Sequence, residues 1–341
     1  TRRSSDLNHP SISRVTRERI VKVAREMGYR ANPVVAELMG QLRVSREPSY
    51  QANLAFLFAG TPECPFRQHE IFRGAADCAS RLGYSVDHYR LRANELPVSR
   101  VVHILKSKNT KGAVIIGLME RHLSENWLGA ILDQFVCTIP GMIARSPELS
   151  CINTDHFMVA KLSAEHAAEF GYEQVRIVLD EAVDKVLDRR FSSGFLAAAA
   201  DEVASRVFSY SAPDSRKAAK LLRWLRDKRV DAVITRDLWV KDVIEADGLK
   251  VPGDVALIDL EKNDEKPGWT GIDQRHQQIG AAAVRQLVQQ INEPATESDR
   301  TVQDIVIHPK WVEGTTTRRP GDRNKPSKPN KRKAKTRAVK Q

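Results

Sequence analysis

The chain lacks any long apolar run. Nothing in its 341 residues approaches the roughly 20 consecutive apolar residues that span a bilayer, which argues against a membrane protein even though 41% of the residues are hydrophobic. The stretch TRRSSDLNHPSIS at the start has no apolar centre of the kind an export signal requires. Cysteine is scarce: Cys64, Cys78, Cys137 and Cys151 stand singly, without the spacing of a metal site or a disulfide framework. That usage reads as a reducing cytoplasm. Also missing are a Gly-rich phosphate loop, His-Glu-x-x-His, Cys-x-x-Cys and Gly-x-Ser-x-Gly, and the nine histidines are scattered. Catalysis, a metal and a cofactor are therefore not expected. Beyond Thr317 the chain has no aromatic residue and, apart from Val339, no branched aliphatic one. Such a segment cannot bury enough surface to offset its ordering entropy and reads as disordered. Its Lys and Arg residues either contact nucleic acid non-specifically or only solubilise the chain.

The residues that are present are organised along the chain. Its length exceeds one typical hydrophobic core, so roughly two domains with short appendages are expected. The net charge of +11 sits at the ends, with eleven basic residues against Asp322 from Arg318 onward and ten basic against five acidic in the first fifty. The middle is left acidic, so attraction to a polyanion belongs to the termini.

Over residues 13–28, Ile20, Val23, Ala24 and Met27 fall at i, i+3, i+4 and i+7, with Arg14, Arg17, Arg19, Lys22 and Arg25 on the remaining surface. That spacing predicts a basic amphipathic helix. Asn32 and Pro33 then open about two turns of helix former through Met39, a helix too short to be stable alone in water. From Asn53 the pattern changes. NLAFLFA (53–59), residues 86–91, GAVIIGL (112–118), QVRIVL (174–179), VDAVIT (230–235) and VALIDL (255–260) alternate with amphipathic stretches, such as Phe72, Ala75, Ala76 and Ala79 or Ala218, Leu221, Leu222 and Leu225. Continuous apolar strands joined by helices imply parallel sheets covered on both faces. With this many units the expected fold is α/β, with two doubly wound parallel-sheet lobes. Gly280, Ala283, Val284, Leu287, Val288 and Ile291 form a long helical stripe, suited either to core packing or to a share in a subunit interface.

The segment HPSISRVTRERIVKVAREMGYRANPVVAELM resembles the end of a DNA-binding headpiece of the lactose-repressor (LacI/GalR) family, with a hinge helix bearing one leucine. Similar text runs through the body: Ile152-Asn153-Thr154-Asp155, Phe170-Gly171-Tyr172, Gly248-Leu249-Lys250-Val251-Pro252-Gly253-Asp254-Val255, Gly271-Ile272-Asp273-Gln274 and the closing Trp311-Val312-Glu313-Gly314-Thr315-Thr316. The order and spacing of these pieces cover about 300 residues. The resemblance implies a partial all-α helix-turn-helix headpiece over 1–31, a hinge helix and linker over 32–48, a two-lobed periplasmic-binding-protein-like effector and dimerisation body over 49–317, and the basic tail over 318–341. It also implies a cytoplasmic homodimeric transcription regulator, a repressor by expectation. Its binding to double-stranded operator DNA would answer to a small polar metabolite, possibly a sugar, held in a cleft at the carboxyl ends of the strands. Residues matching the DNA-contacting part are Thr16, Arg17, Tyr29, Asn32, Val34 and Leu38, with Leu38 either the lever that opens a minor-groove step or a packing residue.

The resemblance departs at the very start, where the chain opens inside the recognition helix with Arg2, Ser5 and Asp6 at positions that should be apolar. A truncated or degenerate DNA-reading end with weakened sequence-specific binding is the expectation. The rival reading is a DNA-independent ligand sensor or decayed regulator.

For the effector, the resemblance points to six residues. Asp155 is either a ligand contact or an ordinary helix N-cap. Arg190 is either a ligand clamp, for which its planar fork is suited, or a surface residue. Arg236 and Asp237 follow the strand VDAVIT, where the family carries Asn-Asp, and Arg236 adds a charge preference foreign to neutral-sugar binders. Glu261 stands where an Asp is expected. Phe66, in the loop after the first strand, either stacks on a ligand or covers a core edge.

Overall fold

The computed structural model describes residues 16, 18–19, 22–23, 52–59, 65–91, 98–117, 126–141, 150–198, 206–211, 214–227, 229–263, 266–293 and 303–319. Thr16, Glu18, Arg19, Lys22 and Val23 are helical and exposed. Arg17, Tyr29, Asn32, Val34 and Leu38, with the rest of the headpiece and the hinge, lie outside the described residues. The body divides into two compact units, Thr1–Asn153 with His276–Ile305, and Thr154–Arg275 with Val306–Gln341.

In the first unit the chain runs β1 (Ala52–Ala59), α1 (Pro65–Arg81), β2 (Tyr84–Leu91), α2 (Val98–Ser107), β3 (Thr110–Ile116), α3 (Asn126–Leu132), β4 (Val136–Pro140) and β5 (Cys151–Thr154). It returns as α9 (His276–Asn292) and β11 (Ile305–Ile307). The sheet order is β11-β5-β4-β3-β1-β2, and β1 pairs in parallel with both β2 and β3. Strand β1 is apolar without alternation because both faces are covered. Ala55, Leu57 and Ala59 join Val101, Leu105, Leu128 and Ile131 of α2 and α3 in one cluster, while Phe56 meets Phe72 of α1 edge-on at 5.4 Å from the other face. Each fully buried Leu, Ile or Phe stabilises such a core by roughly 1.5–3 kcal/mol.

Most of the helical stripe of 276–292 is core, with Val288 and Ile291 half-buried. Helix α9 packs on α1 and on β4, with Ile279, Gly280, Ala283, Val284 and Leu287 buried. The crossing with α1 is made close by two glycines. A Cβ built on Gly74 would stand 1.9 Å from the carbonyl oxygen of Gln277, and one on Gly280 would stand 1.9 Å from that of Ile71. The sequence reading left this stripe open between core and subunit interface; in the structure its inward residues are spent within the unit.

The second unit repeats the plan: α4 (His156–Glu169), β6 (Val175–Asp180), α5 (Glu181–Val186), α6 (Arg190–Ala198), β7 (Val207–Tyr210), α7 (Lys217–Asp227), β8 (Ala232–Thr235), α8 (Leu238–Ala246), β9 (Ala256–Asp259), β10 (Thr270–Asp273) and β12 (Lys310–Val312). Its sheet order is β12-β10-β9-β8-β6-β7, so the two parallel-sheet lobes expected from the sequence are present. The text Phe170-Gly171-Tyr172 has a local cause. Gly171 takes a φ of 72°, and the amides of Gly171 and Tyr172 return to the carbonyls of Ala168 and Ala167, closing α4. Arg318, expected to open the tail, is held by Tyr172, whose hydroxyl accepts from the Arg318 amide at 2.9 Å and donates to its carbonyl at 3.2 Å.

Candidate functional site

In both sheets the order reverses after the second strand, with β2 and β3 on opposite sides of β1 in one unit and β7 and β8 on opposite sides of β6 in the other, so the switch lies between β1 and β3 and between β6 and β8. Open α/β sheets bind ligands at the carboxyl ends of the strands at such switch points. Parallel pairing brings those ends level in the second unit, where Asp180 lies beside Tyr210, and Thr235 beside Asp259. Charged and aromatic side chains are concentrated there.

Tyr210 donates its hydroxyl to Asp237 Oδ2 at 2.7 Å. Asp237 occupies the N-cap position of α8, yet makes no cap bond with its side chain. Its carboxylate is held by Tyr210 instead, and its amide donates to Thr235 Oγ1 at 3.2 Å. Burial pushes the Asp237 carboxyl above the usual carboxylate range, against the opposing effects of the Tyr210 hydrogen bond and the Arg236 charge. Burial likewise raises the Tyr210 phenol, helped by the nearby Asp237 charge. Trp239 sets its ring edge-on to Tyr210 at 4.9 Å, and the Lys217 ammonium stands 5.2 Å from both ring centres. That geometry is a cation–π arrangement.

At the end of β9 two acids are buried. Asp259 Oδ1 receives the Lys266 ammonium at 2.5 Å and the Glu261 amide at 2.9 Å. Burial raises the Asp259 carboxyl to about 6, with the Lys266 charge working the other way. The Glu261 side chain is 5% exposed and lies 3.7 Å from an Arg236 guanidinium nitrogen. Lys266 also donates to the Arg236 carbonyl at 3.1 Å, and Gln274 donates to that of Leu260 at 2.8 Å, tying the ends of β8, β9 and β10 together.

Of the six effector candidates, Arg236, Asp237 and Glu261 meet at this edge. Asp155 and Arg190 open two neighbouring helices, α4 and α6, whose starts touch through the His156 and Phe191 rings at 5.3 Å. Asp155 acts as the N-cap of α4, accepting from the Met158 amide at 3.1 Å. Phe66 belongs to the first unit and lies in the opening turn of α1 rather than in a loop. The sequence reading missed Tyr210, Lys217, Asp259 and Lys266. Asp259 carried a usable signal, since an acid within a wholly buried apolar strand requires a partner. Among the described residues no three His, Cys, Asp or Glu side chains are grouped to hold a metal, and no helix is long and apolar enough to cross a membrane.

Residues 164–317 match the periplasmic binding protein-like domain family. No curated protein sequence matches the chain. Among solved structures, the transcriptional regulator CelR in complex with cellobiose is similar at 18% identity and a TM-score of 0.56, over 91% of this chain and 93% of that one. The transcription regulator CcpA of Lactococcus lactis is similar at 18% identity and 0.58, over 79% of this chain and 100% of its own. The Lac repressor dimer bound to operator and the anti-inducer ONPF gives 17% identity and 0.58, over 89% and 91%. The fold is therefore LacI-like, built of two parallel-sheet α/β units of the periplasmic-binding-protein type.

Proposed function

We propose that this chain is a ligand-responsive transcription regulator of the LacI/GalR type, not an enzyme, whose operator binding is set by a small polar metabolite. The observation that carries the reading is the gathering of Lys217, Tyr210, Arg236, Asp237 and Glu261 at the switch-point edge of the second sheet, where a small ligand is expected in such folds. The structures of similar fold support it, since one holds cellobiose and another an operator with an anti-inducer.

In this reading residues 1–31 contribute the DNA-contacting headpiece, with Thr16 and Arg17 on its basic helix and Tyr29 after it. Residues 32–48 are a hinge helix and linker in which Asn32, Val34 and Leu38 contact the DNA, residues 49–317 bind effector and dimerise, and residues 318–341 add non-specific attraction to DNA. Asp155 and Arg190 add contacts to the metabolite from the same unit. The protein works as a homodimer in the cytoplasm.

The test is a salt-titrated DNA-binding assay on the promoter region of its own gene, comparing the 341-residue chain with the product of the whole coding sequence. Selective binding by either supports the regulator. Weak, steeply salt-dependent binding by both leaves only counterion release through the basic ends and moves the assignment to a DNA-independent ligand sensor.

A further inference from the structure

At the strand ends of the second unit the acids accept from donors of the fold, and among the described residues the one buried carboxylate oxygen there without a hydrogen bond, Asp259 Oδ2, has no access to solvent. Asp180 Oδ1 accepts from the Ala182 amide at 2.9 Å, Asp237 from the Tyr210 hydroxyl at 2.7 Å, and Asp259 from Lys266 and the Glu261 amide. Of the cations, Lys266 is wholly buried and spent on Asp259 and the Arg236 carbonyl. Arg236 differs. Its side chain is 24% exposed, and the nearest carboxylate oxygen, on Glu261, lies at 3.7 Å, beyond hydrogen-bond reach. Among the described residues, then, a largely buried guanidinium carries a planar fork of N–H donors with a carboxylate nearby in charge but not in bonding. Glu261 is the deeper of the two at 5% exposed, and Arg236 keeps contact with solvent. A second positive charge, on Lys217, stands over the rings of Tyr210, which holds Asp237, and of Trp239 in the first turn of α8.

A neutral polyol binds best where solvent-reaching carboxylates wait to accept its hydroxyl protons; here the unanswered acceptor, Asp259 Oδ2, is sealed from solvent, and the group that reaches solvent is a donor, Arg236. A planar guanidinium fork matches the two oxygens of a carboxylate or phosphate, and such charge-assisted bonds are about twice as strong as neutral ones. We infer that the metabolite taken at this edge is an anion, a sugar acid or sugar phosphate class of molecule, docked through its carboxylate or phosphate on Arg236. The inference rests on the reading of this edge as the effector site. It makes Arg236 the residue that separates charged from neutral ligands.

The experiment uses the full chain and thermal-shift titration at fixed ionic strength with inorganic phosphate, gluconate, glucose 6-phosphate and glucose. The expected result is a saturable rise in unfolding temperature with phosphate, a larger one with either charged sugar, and none with glucose. Arg236→Gln is expected to weaken the anion Kd by roughly tenfold to a hundredfold, Arg236→Lys to recover part of it, and Arg216→Gln, at an exposed ion pair on Asp214, to change nothing. Circular dichroism of Arg236→Gln checks that it folds. Glucose stabilising as well as its charged counterparts, anion binding unchanged in Arg236→Gln, or no saturable anion effect each overturns the proposal. Selective promoter binding in the DNA assay would stand regardless, which keeps the failure of this inference apart from failure of the regulator reading.

Discussion

Lys266 donates its ammonium proton to Asp259 Oδ1 at 2.5 Å, and the two side chains are 3% and 0% exposed. Two full charges withdrawn from water cost several kcal/mol each, and mutual attraction recovers that only while both partners are present. Lys266→Met is therefore expected to destabilise the protein by about 3–5 kcal/mol at neutral pH, because Asp259 is left in a dry site without its countercharge. The double replacement Asp259→Leu with Lys266→Met removes both desolvation costs and is expected to be neutral or stabilising. Urea unfolding midpoints of the three proteins decide it; a double variant as unstable as the single one would show that the pair is worth more than its burial costs.

The same pair fixes a pH dependence. Burial lifts the folded Asp259 carboxyl to about 6 against an unfolded value of about 3.9. Between those values the native state holds the extra proton, so stability from this group falls as pH rises from about 4 to about 6, by about 3 kcal/mol, and is level above. Asp87 works the opposite way. Its carboxyl is held below the usual range by the hydrogen bond from Lys108, so its contribution is present above the unfolded value and lost as pH falls through the folded one. Subtracting the pH–stability curve of Asp259→Asn from that of the wild type isolates the first effect, and carboxyl carbon-13 NMR should place one Asp midpoint near 6. A midpoint below 4 for Asp259 would remove the argument.

The crossing of α1 and α9 in the first unit depends on the absence of two side chains. Gly74→Ala or Gly280→Ala would drive a methyl to 1.9 Å from a backbone carbonyl oxygen, Gln277 in one case and Ile71 in the other. Backbone cannot step aside as a flexible side chain can, so the helices must separate. Each substitution is expected to cost about 1–3 kcal/mol or more, read as a lowered melting temperature. Gly129→Ala, where nothing lies within 4 Å of the new carbon, serves as the control and is expected to be neutral or stabilising through its higher helix propensity.

The legible parts of this molecule were those written in periodicity. Runs such as NLAFLFA and VALIDL announced themselves as buried strands because they do not alternate, and the residues just after VDAVIT and VALIDL led directly to Arg236, Asp237 and Glu261. Short strands with little apolar content were harder: β11 and β12 are three residues each, too brief for a period to register. Lys266 was invisible because it lies in a polar, aperiodic loop and acquires its role only when the fold carries it to Asp259. Tyr210 and Lys217 were missed for a related reason, since β7 precedes the switch by a connection whose length says nothing of which strand it will neighbour. The α9 stripe shows the converse limit: helical spacing proves that a face is buried without saying what buries it, and the glycine contacts with α1 supply that answer.

Tyr210 offers the most local test of the candidate site. Its hydroxyl favours the ionised form of Asp237 against the opposing effect of burial, and Tyr210→Phe leaves the ring contact with Trp239 and removes only the hydrogen bond. The Asp237 pKa is then expected to rise further, because the neutral form no longer competes with a bonded anion. The loss of stability should be about 1–3 kcal/mol at neutral pH, the range for stranding a buried acceptor, and should shrink as pH falls and the carboxyl protonates in both proteins. If the edge binds ligand with Asp237 as a negative, ordered group, Tyr210→Phe should also weaken binding without altering the charged-over-neutral preference set by Arg236. An unchanged Asp237 midpoint in carboxyl NMR of Tyr210→Phe would show that the Tyr210 hydrogen bond does not govern this acid.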